Sequence, residues 1–420
     1  MDTLKPSSTS ALRLDRQLRI AGWNQQALER AAVGVVGDSD LLASLYVLSA
    51  AALGINCLKV IAPRLDATLT DMARKLNPEL KLVELEGFYT HPLVGELFSD
   101  CPVIVDLSAY GLATKLALEQ VFRENRAVVR GYCFQNGNSQ GLRVFTYFRG
   151  REWQELEKVV PPRNFPGPHS DDGVLDIIVA GLVLEETKNL LMGHRVSGGL
   201  ISYEHPKISA VPEALPILIV GAGALGNFVG LGLALSGFTN LTFMDPDVVD
   251  PTNLNRQIFF YDAVGRSKAK TLAHRLNRHY HTRARAEVGL FREDTQVEPY
   301  RIIIDCVDNF ETRIILSEKA KAHGKILISG GTGVSAGQVV VYHPAQGGPT
   351  PAELLGLYEI VNRRGLDSYP RRREACIYQP DPAIIMTNQI VGGLMADACR
   401  LLALGGQPPN LFYERGVFLT

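Results

Sequence analysis

Three carboxylates, three side-chain amides and a guanidinium crowd into "MDPDVVDPTNLNRQIFF", residues 244–260. They are Asp245, Asp247, Asp250, Asn253, Asn255, Gln257 and Arg256. Carboxylates accept hydrogen bonds from sugar hydroxyls, whereas amides and guanidinium groups donate to anionic oxygens. Just upstream, "IVGAGALG" sets Gly221, Gly223 and Gly226 in GxGxxG spacing after the apolar run Ile217–Val220. The first glycine permits a tight turn and the second lets backbone approach a phosphate. The third allows close helix–strand packing, with the anion at the helix N-terminus. Asp245 follows Gly226 by 19 residues, the reach of a ribose-binding acid. Glycines and acid alone fit NAD, FAD or any adenine nucleotide.

The residues that follow narrow the chemistry. Hydride transfer needs nothing beyond the ribose acid, yet Asn253, Asn255, Arg256 and Gln257 come at once. "GRSKAKTLAHRLN" then places Lys268 and Lys270 at the start of a helix, and "DCVDNFETR" places Asp308 and Asn309 at a strand end. Arg256 and Lys268 can neutralise a triphosphate as its charge redistributes. Asp308 can hold Mg²⁺, which favours one or two carboxylates plus phosphate oxygens. This is equipment for attack on a phosphate.

The elements that must position these groups occur twice. "AAVGVVGDSDLLASLYVLSAAALGINCLKVIAP" and "LPILIVGAGALGNFVGLGLALSGFTNLTFMDP" both read as strand, tight turn, apolar helix, Gly, strand. "DCPVIVDLSAYG" (100–111) resembles "RIIIDCVDNFET" (301–312), and "IIVAGLVLEETKNLLMG" (177–193) resembles "QIVGGLMADACRLLALG" (389–405). Strands alternating with helices imply parallel βαβ sheets, so the expectation is α/β: two tandem doubly wound, Rossmann-like domains. Residues 1–200 make one and 201–420 the other. Corresponding positions stand 184 residues apart at Gly37 and Gly221 but 212 apart at Val179 and Val391, so the second half carries extra chain. The Pro-, Gly- and Arg-rich stretch 343–382 is its expected place. The first half is unequipped: "GDSDLL" replaces the glycines, Ala62 stands where Asp245 should, and Asp38 and Asp40 would repel phosphate.

A net charge of −1 gives no bulk attraction to nucleic acid or membrane. The N-terminus lacks an apolar signal region and no apolar run is long enough to span a bilayer. Six scattered cysteines without a CxxC pair argue for a reduced, cytoplasmic protein and against a structural zinc site.

The series "GAGALG…FMDPDVVDPTNLNRQIFF…GRSKAK…DCVDNFETR" resembles the adenylating domain of the E1/ThiF/MoeB superfamily, over about residues 213–405. The N-terminal "LDRQLRIAGWNQQALERAAVGVVG" resembles the segment that in this family lends an Arg to the partner's ATP site, a role that falls on Arg16, with Arg19 as a second candidate. The resemblance implies a ThiF-type pseudo-dimer in which an inactive half serves an active one, as in compact, bacterial-type E1-like enzymes. Gly221, Gly223 and Gly226 would cradle ATP, Asp245 and Asp247 hold the ribose, and Asn253, Arg256, Gln257, Lys268 and Asn309 line the nucleotide. Arg16 would assist at the phosphates and Asp308 carry Mg²⁺. The implied reaction is adenylation of the C-terminal carboxylate of a ubiquitin-like or sulfur-carrier protein.

Cys376 in "RRREACIYQPDP" is the candidate thioester or persulfide cysteine, with Arg371, Arg372 and Arg373 favouring its thiolate. Cys57, Cys101, Cys133, Cys306 and Cys399 read as structural. The expected sequel is transfer from Cys376 to an E2-like partner. The alternatives are a ThiF/MoeB-type sulfur-carrier or peptide adenylyltransferase without an E2, a non-catalytic binding subunit, and an NAD-dependent oxidoreductase. The chain's end at Thr420 leads to the expectation of a minimal form, a monomeric pseudo-dimer or a homodimer of such chains. Each site residue also has a structural alternative. Arg16 could pair with Asp15, Asn253 and Asn255 could form a turn around Pro251, and Asp308 could cap the next helix.

Overall fold

The protein is described by a computed structural model over residues 12–87, 91–108, 126–148, 172–364 and 381–420. Cys376 and Arg371–Arg373 lie outside the described residues. The chain builds two sheets in which parallel pairing dominates. The first contains β1 (Ala32–Gly37), β2 (Cys57–Ala62), β3 (Lys81–Glu86), β4 (Val103–Leu107), β5 (Ala127–Asn136), β6 (Ser139–Phe148) and β7 (Ile201–Pro206), in the order β3-β2-β1-β4-β5-β6-β7. The second contains β8 (Ile217–Val220), β9 (Leu241–Met244), β10 (Arg285–Glu287), β11 (Ile302–Asp305), β12 (Ile326–Thr332), β13 (Ala336–Tyr342), β14 (Leu411–Glu414) and β15 (Val417–Leu419). Its order, β10-β9-β8-β11-β12-β13-β14-β15, repeats the first and adds one edge strand. In each sheet the first five strands run parallel and the remainder antiparallel.

The order reverses at β1 and at β8, leaving a crevice at their carboxyl ends, where doubly wound sheets bind ligands. Both strands are wholly buried, as the central strands of sheets covered on both faces must be. β7 pairs with β6 from Ser139↔Pro206 to Val144↔Ile201. The chain therefore passes between the sheets after Pro206, not at residue 200 as the repeat pattern suggested. Strand β7 was indistinct in the sequence because only one of its faces is covered.

The helices that matter to the site are α1 (Asp15–Leu18), α2 (Asp40–Leu53), α3 (Gly173–Met192), α4 (Ala224–Leu235), α5 (Lys268–Tyr280), α6 (Phe310–Ala322) and α7 (Ile385–Ala403). Among the described residues no helix is long and apolar enough to cross a membrane. Helices α3 and α7 are buried on nearly every side, and they cross each other between the sheets, with α2 and α4 packed alongside. Gly181 and Gly393 hold corresponding places in the two long helices. A Cβ on Gly181 would sit 2.8 Å from Ile390 Cγ1, and one on Gly393 would sit 2.5 Å from Ile178 Cγ1. Ile178 and Ile390 also correspond, so each helix offers the same glycine notch to the other's isoleucine. This reciprocity is the mark of a twofold contact. The tyrosines behave likewise: Tyr203 on β7 donates to Asp397 on α7 at 2.6 Å, and Tyr413 on β14 donates to Glu185 on α3.

The notches predict a specific weakness. Gly181→Ala and Gly393→Ala each thrust a methyl into a packed isoleucine, and overpacking costs about 1–3 kcal/mol. Urea unfolding should show a lower midpoint for both variants, and Gly181→Ala with Ile390→Val should recover much of the loss.

Candidate functional site

The site forms where β8 ends. Gly221 has φ +97°, and a Cβ there would lie 2.6 Å from the Cys306 carbonyl oxygen, so only glycine makes this turn. Gly226 faces a harder limit, its Cβ position being 2.1 Å from the Gly221 carbonyl oxygen. Gly223 meets only the Gln257 amide nitrogen, at 3.7 Å. The turn thus leaves the N-terminus of α4 open above Gly223, with the Gln257 side chain beside it.

Asp245 holds the turn from the next strand. Its carboxylate accepts from the Ala222 N–H at 2.7 Å and from the Asp247 N–H at 2.8 Å. Burial nonetheless raises its pKa above the usual carboxylate value, opposed chiefly by the nearby Lys268. Lys268 is itself engaged: its ammonium lies 2.9 Å from Asp247 Oδ2. The structure therefore pairs Lys268, expected at the phosphates, with Asp247, expected at the ribose.

The segment between them is a pair of short 3₁₀ turns, Pro251–Asn253 and Ile258–Phe260. Asp250 caps the first turn, accepting from Thr252 N, while Asn253 Oδ1 accepts from Asp250 N at 3.0 Å. Asn253 is thus a turn former, bound into its own loop. Asn255 is fully buried and gives its amide oxygen to Arg256 Nη1 at 2.8 Å. The same Nη1 donates to the Thr252 carbonyl at 2.8 Å.

Arg256 is buried, and its pKa falls to about 9 because it loses hydration and sits near Arg16, while Asp308 and Asp250 oppose the fall. The half-buried Arg16 thus bears electrostatically on the buried Arg256, an arrangement that favours an incoming anion. Gln257, also buried, leaves Oε1 without a hydrogen-bond partner. Such an orphan beside a glycine turn suits a ligand donor.

Arg16 comes from the first half. Its Nη1 donates to the Asp381 carbonyl at 2.8 Å, and its own carbonyl accepts from Ala383 N at 3.3 Å. The pairing with Asp15 that was open to Arg16 falls to Arg19, whose Nε lies 2.8 Å from Asp15 Oδ2. On the far side of the crevice, Asp308 is exposed just past β11 and Asn309 caps α6 by accepting from Thr312 N at 2.9 Å. The helix-capping role considered for Asp308 thus belongs to its neighbour. Lys270 is exposed on the first turn of α5. Among the described residues no group of three or more His, Cys, Asp or Glu side chains could enclose a metal ion.

Three supports went unread in the sequence. Asn227, fully buried in α4, donates to the Ala222 carbonyl at 3.1 Å and the Gly223 carbonyl at 2.8 Å, and accepts from Phe259 N at 3.0 Å. It clamps the glycine turn to the segment bearing Arg256, and its signal was a lone amide inside an otherwise apolar helix. Asp305, at the end of β11, is buried and accepts from Ser329 Oγ at 2.6 Å, with Arg313 Nε at 3.4 Å. Gln17 is the third. Replacing Asn227 by Leu strands the Ala222 carbonyl and the Phe259 N–H, while the Gly223 carbonyl keeps the residue 227 N–H at 3.0 Å, and each unmet group costs about 1–3 kcal/mol. Thermal unfolding of Asn227→Leu should fall by several degrees, and more than that of Asn227→Asp, which keeps an acceptor for Phe259 N.

Residues 213–413 match the ThiF family. The chain is 35% identical over 141 residues to "Adenylyltransferase and sulfurtransferase MOCS3" of Mus musculus, covering 32% of this chain and 30% of that protein. It is 36% identical over 138 residues to MOCS3-2 of Zea mays (30% and 27%) and 30% identical over 138 residues to UBA4 of Candida albicans (32% and 32%), both with the same descriptive name. The chain thus spans about a third of the length of the curated relatives it matches. Residues 213–413, just under half of the chain, therefore carry a ThiF-family domain, in line with the resemblance to the E1/ThiF/MoeB superfamily.

Proposed function

We propose that this chain adenylates the C-terminal carboxylate of a ubiquitin-like sulfur-carrier protein, using ATP. The observation that carries the reading is the open glycine turn, with the Gln257 amide 3.7 Å from the Cβ position of Gly223 and, next to Gln257 in the chain, the buried Arg256 on which the charges of Arg16 and Asp308 act. The carrier's carboxylate oxygen attacks the α-phosphorus in line. The bond to the bridging oxygen breaks, and pyrophosphate leaves with its electron pair. Arg256 and Arg16 meet the charge that moves onto the departing phosphates, and the glycine turn presents backbone N–H groups to the triphosphate. Asp308, exposed and adjacent, suits Mg²⁺ shared with phosphate oxygens, which supplies further charge neutralisation when bound. Asp245 and Asp247 face the ribose, and Lys268 holds Asp247 in place.

The first half is an inactive partner in a pseudo-dimer, a reading supported by the repeated strand order and the reciprocal glycine and tyrosine contacts. The relatives' names join adenylyl transfer to sulfur transfer. That favours a sulfur carrier over onward delivery to an E2-like protein, and on this reading Cys376 would carry the persulfide or thioester.

ATP–pyrophosphate exchange with candidate carriers tests the reading. Arg256→Ala and Asp308→Ala should each slow exchange by about 10²–10³-fold, the scale of losing one preorganised charge partner. Undiminished exchange in Asp308→Ala would sink the assignment. Cys376→Ala should leave exchange intact and abolish any thiol-sensitive carrier adduct.

Acidity supplies another test. Asp245 must be ionised to accept from ribose, and its pKa is raised, so protonation removes the acceptor at a higher pH than for an ordinary carboxylate. Nucleotide affinity should therefore decline as pH falls through that raised value, and Asp245→Asn should bind weakly without this decline.

A further inference from the structure

The N-terminal segment is seated on the last carbonyls of α2. Arg13 Nη1 donates to the Ala52 carbonyl at 2.6 Å and the Ala51 carbonyl at 3.2 Å, and Gln17 Nε2 donates to the Leu53 carbonyl at 2.7 Å. The same Gln17 nitrogen reaches Gln25 Oε1 at 2.7 Å, and that oxygen also accepts from Trp23 Nε1 at 3.0 Å. Both donor directions of the Gln17 amide are therefore consumed inside the first half, which fixes its rotamer and turns its oxygen outward. That oxygen accepts from Asn255 Nδ2 at 3.1 Å, across the boundary between the halves. Asn255 Nδ2 also donates to the Ala383 carbonyl at 3.1 Å. With both its donor positions occupied, Asn255 can only turn its oxygen toward Arg256 Nη1, at 2.8 Å.

We infer that Gln17, supplied by the first half, is a positioning residue for Arg256 and acts through Asn255. Gln17 and Asn255 are both fully buried, so neither amide can substitute water for a lost partner. Among the described residues, Arg256 donates to Asn255 and to Thr252 of its own loop. Arg16, the neighbouring residue in α1, acts on Arg256 through its charge, so the first half bears on Arg256 twice, once by charge and once by geometry.

The inference rests on the adenylation reading, and the test separates the two. Exchange rates and MgATP affinity by calorimetry would be measured on the full chain for wild type, Gln17→Met, Gln17→Glu, Arg256→Ala and the Gln17→Met/Arg256→Ala double variant. Gln17→Met should lower kcat by about tenfold with a smaller change in KM, because the phosphate grip tightens as charge develops. Gln17→Glu, which keeps an acceptor for Asn255 Nδ2 but loses the donor to Leu53 and Gln25, should recover only part of that loss. In the Arg256→Ala background Gln17→Met should add no further loss, since its effect runs through the missing guanidinium. An equal fractional loss in both backgrounds would make Gln17 merely structural, and a Gln17→Met variant with wild-type kcat would overturn the inference while leaving adenylation standing. A wild-type chain that binds MgATP without exchange with any carrier removes the adenylation reading alone. The relay is then judged by whether Gln17→Met weakens binding in the wild-type background and not in Arg256→Ala. A wild-type chain that neither binds nor exchanges overturns both.

Discussion

The close crossing of α3 and α7 is the constraint on which the rest depends. Two helices buried on nearly all sides can approach only where a side chain is missing, and Gly181 and Gly393 supply the two gaps. Glycine in a helix interior costs about 1 kcal/mol against alanine, so placing one in each helix is unfavourable locally. The compensation is packing: each gap takes an isoleucine from the opposite helix. The approach sets the distance between the sheets, and with it how far α1 must reach to place Arg16 and Gln17 beside the second crevice.

Electrostatics at that crevice follow from the same geometry. A lone buried guanidinium is unfavourable, and a second one nearby makes matters worse. The structure tolerates Arg16 near Arg256 because Asp308 and Asp250 oppose the repulsion and because amide oxygens and carbonyls accept from the guanidinium groups. Burying Arg256 near a second cation is unfavourable for folding, a trade expected of the anion-binding corner proposed for these residues.

Much of the site was legible in the sequence because its parts are local. The GxGxxG turn, the acid after the next strand and the Asn-Arg-Gln run all lie within about forty residues, and strand–turn–helix geometry brings them together without help. The repeated sheets were legible for a similar reason, since apolar period and turn residues recur in order. What resisted reading was set by distance. Gln17 and Asn255 are 238 residues apart, and no local pattern pairs them. Competition among neighbours was equally hidden: nothing in "LDRQLRIAG" shows that Arg19 takes Asp15 while Arg16 crosses to Asp381. Lys268 and Asp247 looked like independent ligands until the short segment between them folded back and made them a pair. Asn309, one position from Asp308, took the cap because its side chain faces the first turn of α6.

The bond from Gln17 to Asn255 has a consequence of another kind. In an assembly of separate subunits, a residue lent to a neighbour's site departs when the subunits dissociate, so its service lapses on dilution. Here lender and borrower are covalently continuous, and the local concentration of one at the other is set by the fold rather than by how much protein is present. Fusion also removes the need for symmetry. On the proposed reading only one crevice must be served, which leaves the first half free to fill its own turn with Asp38 and Asp40 and to specialise as scaffold.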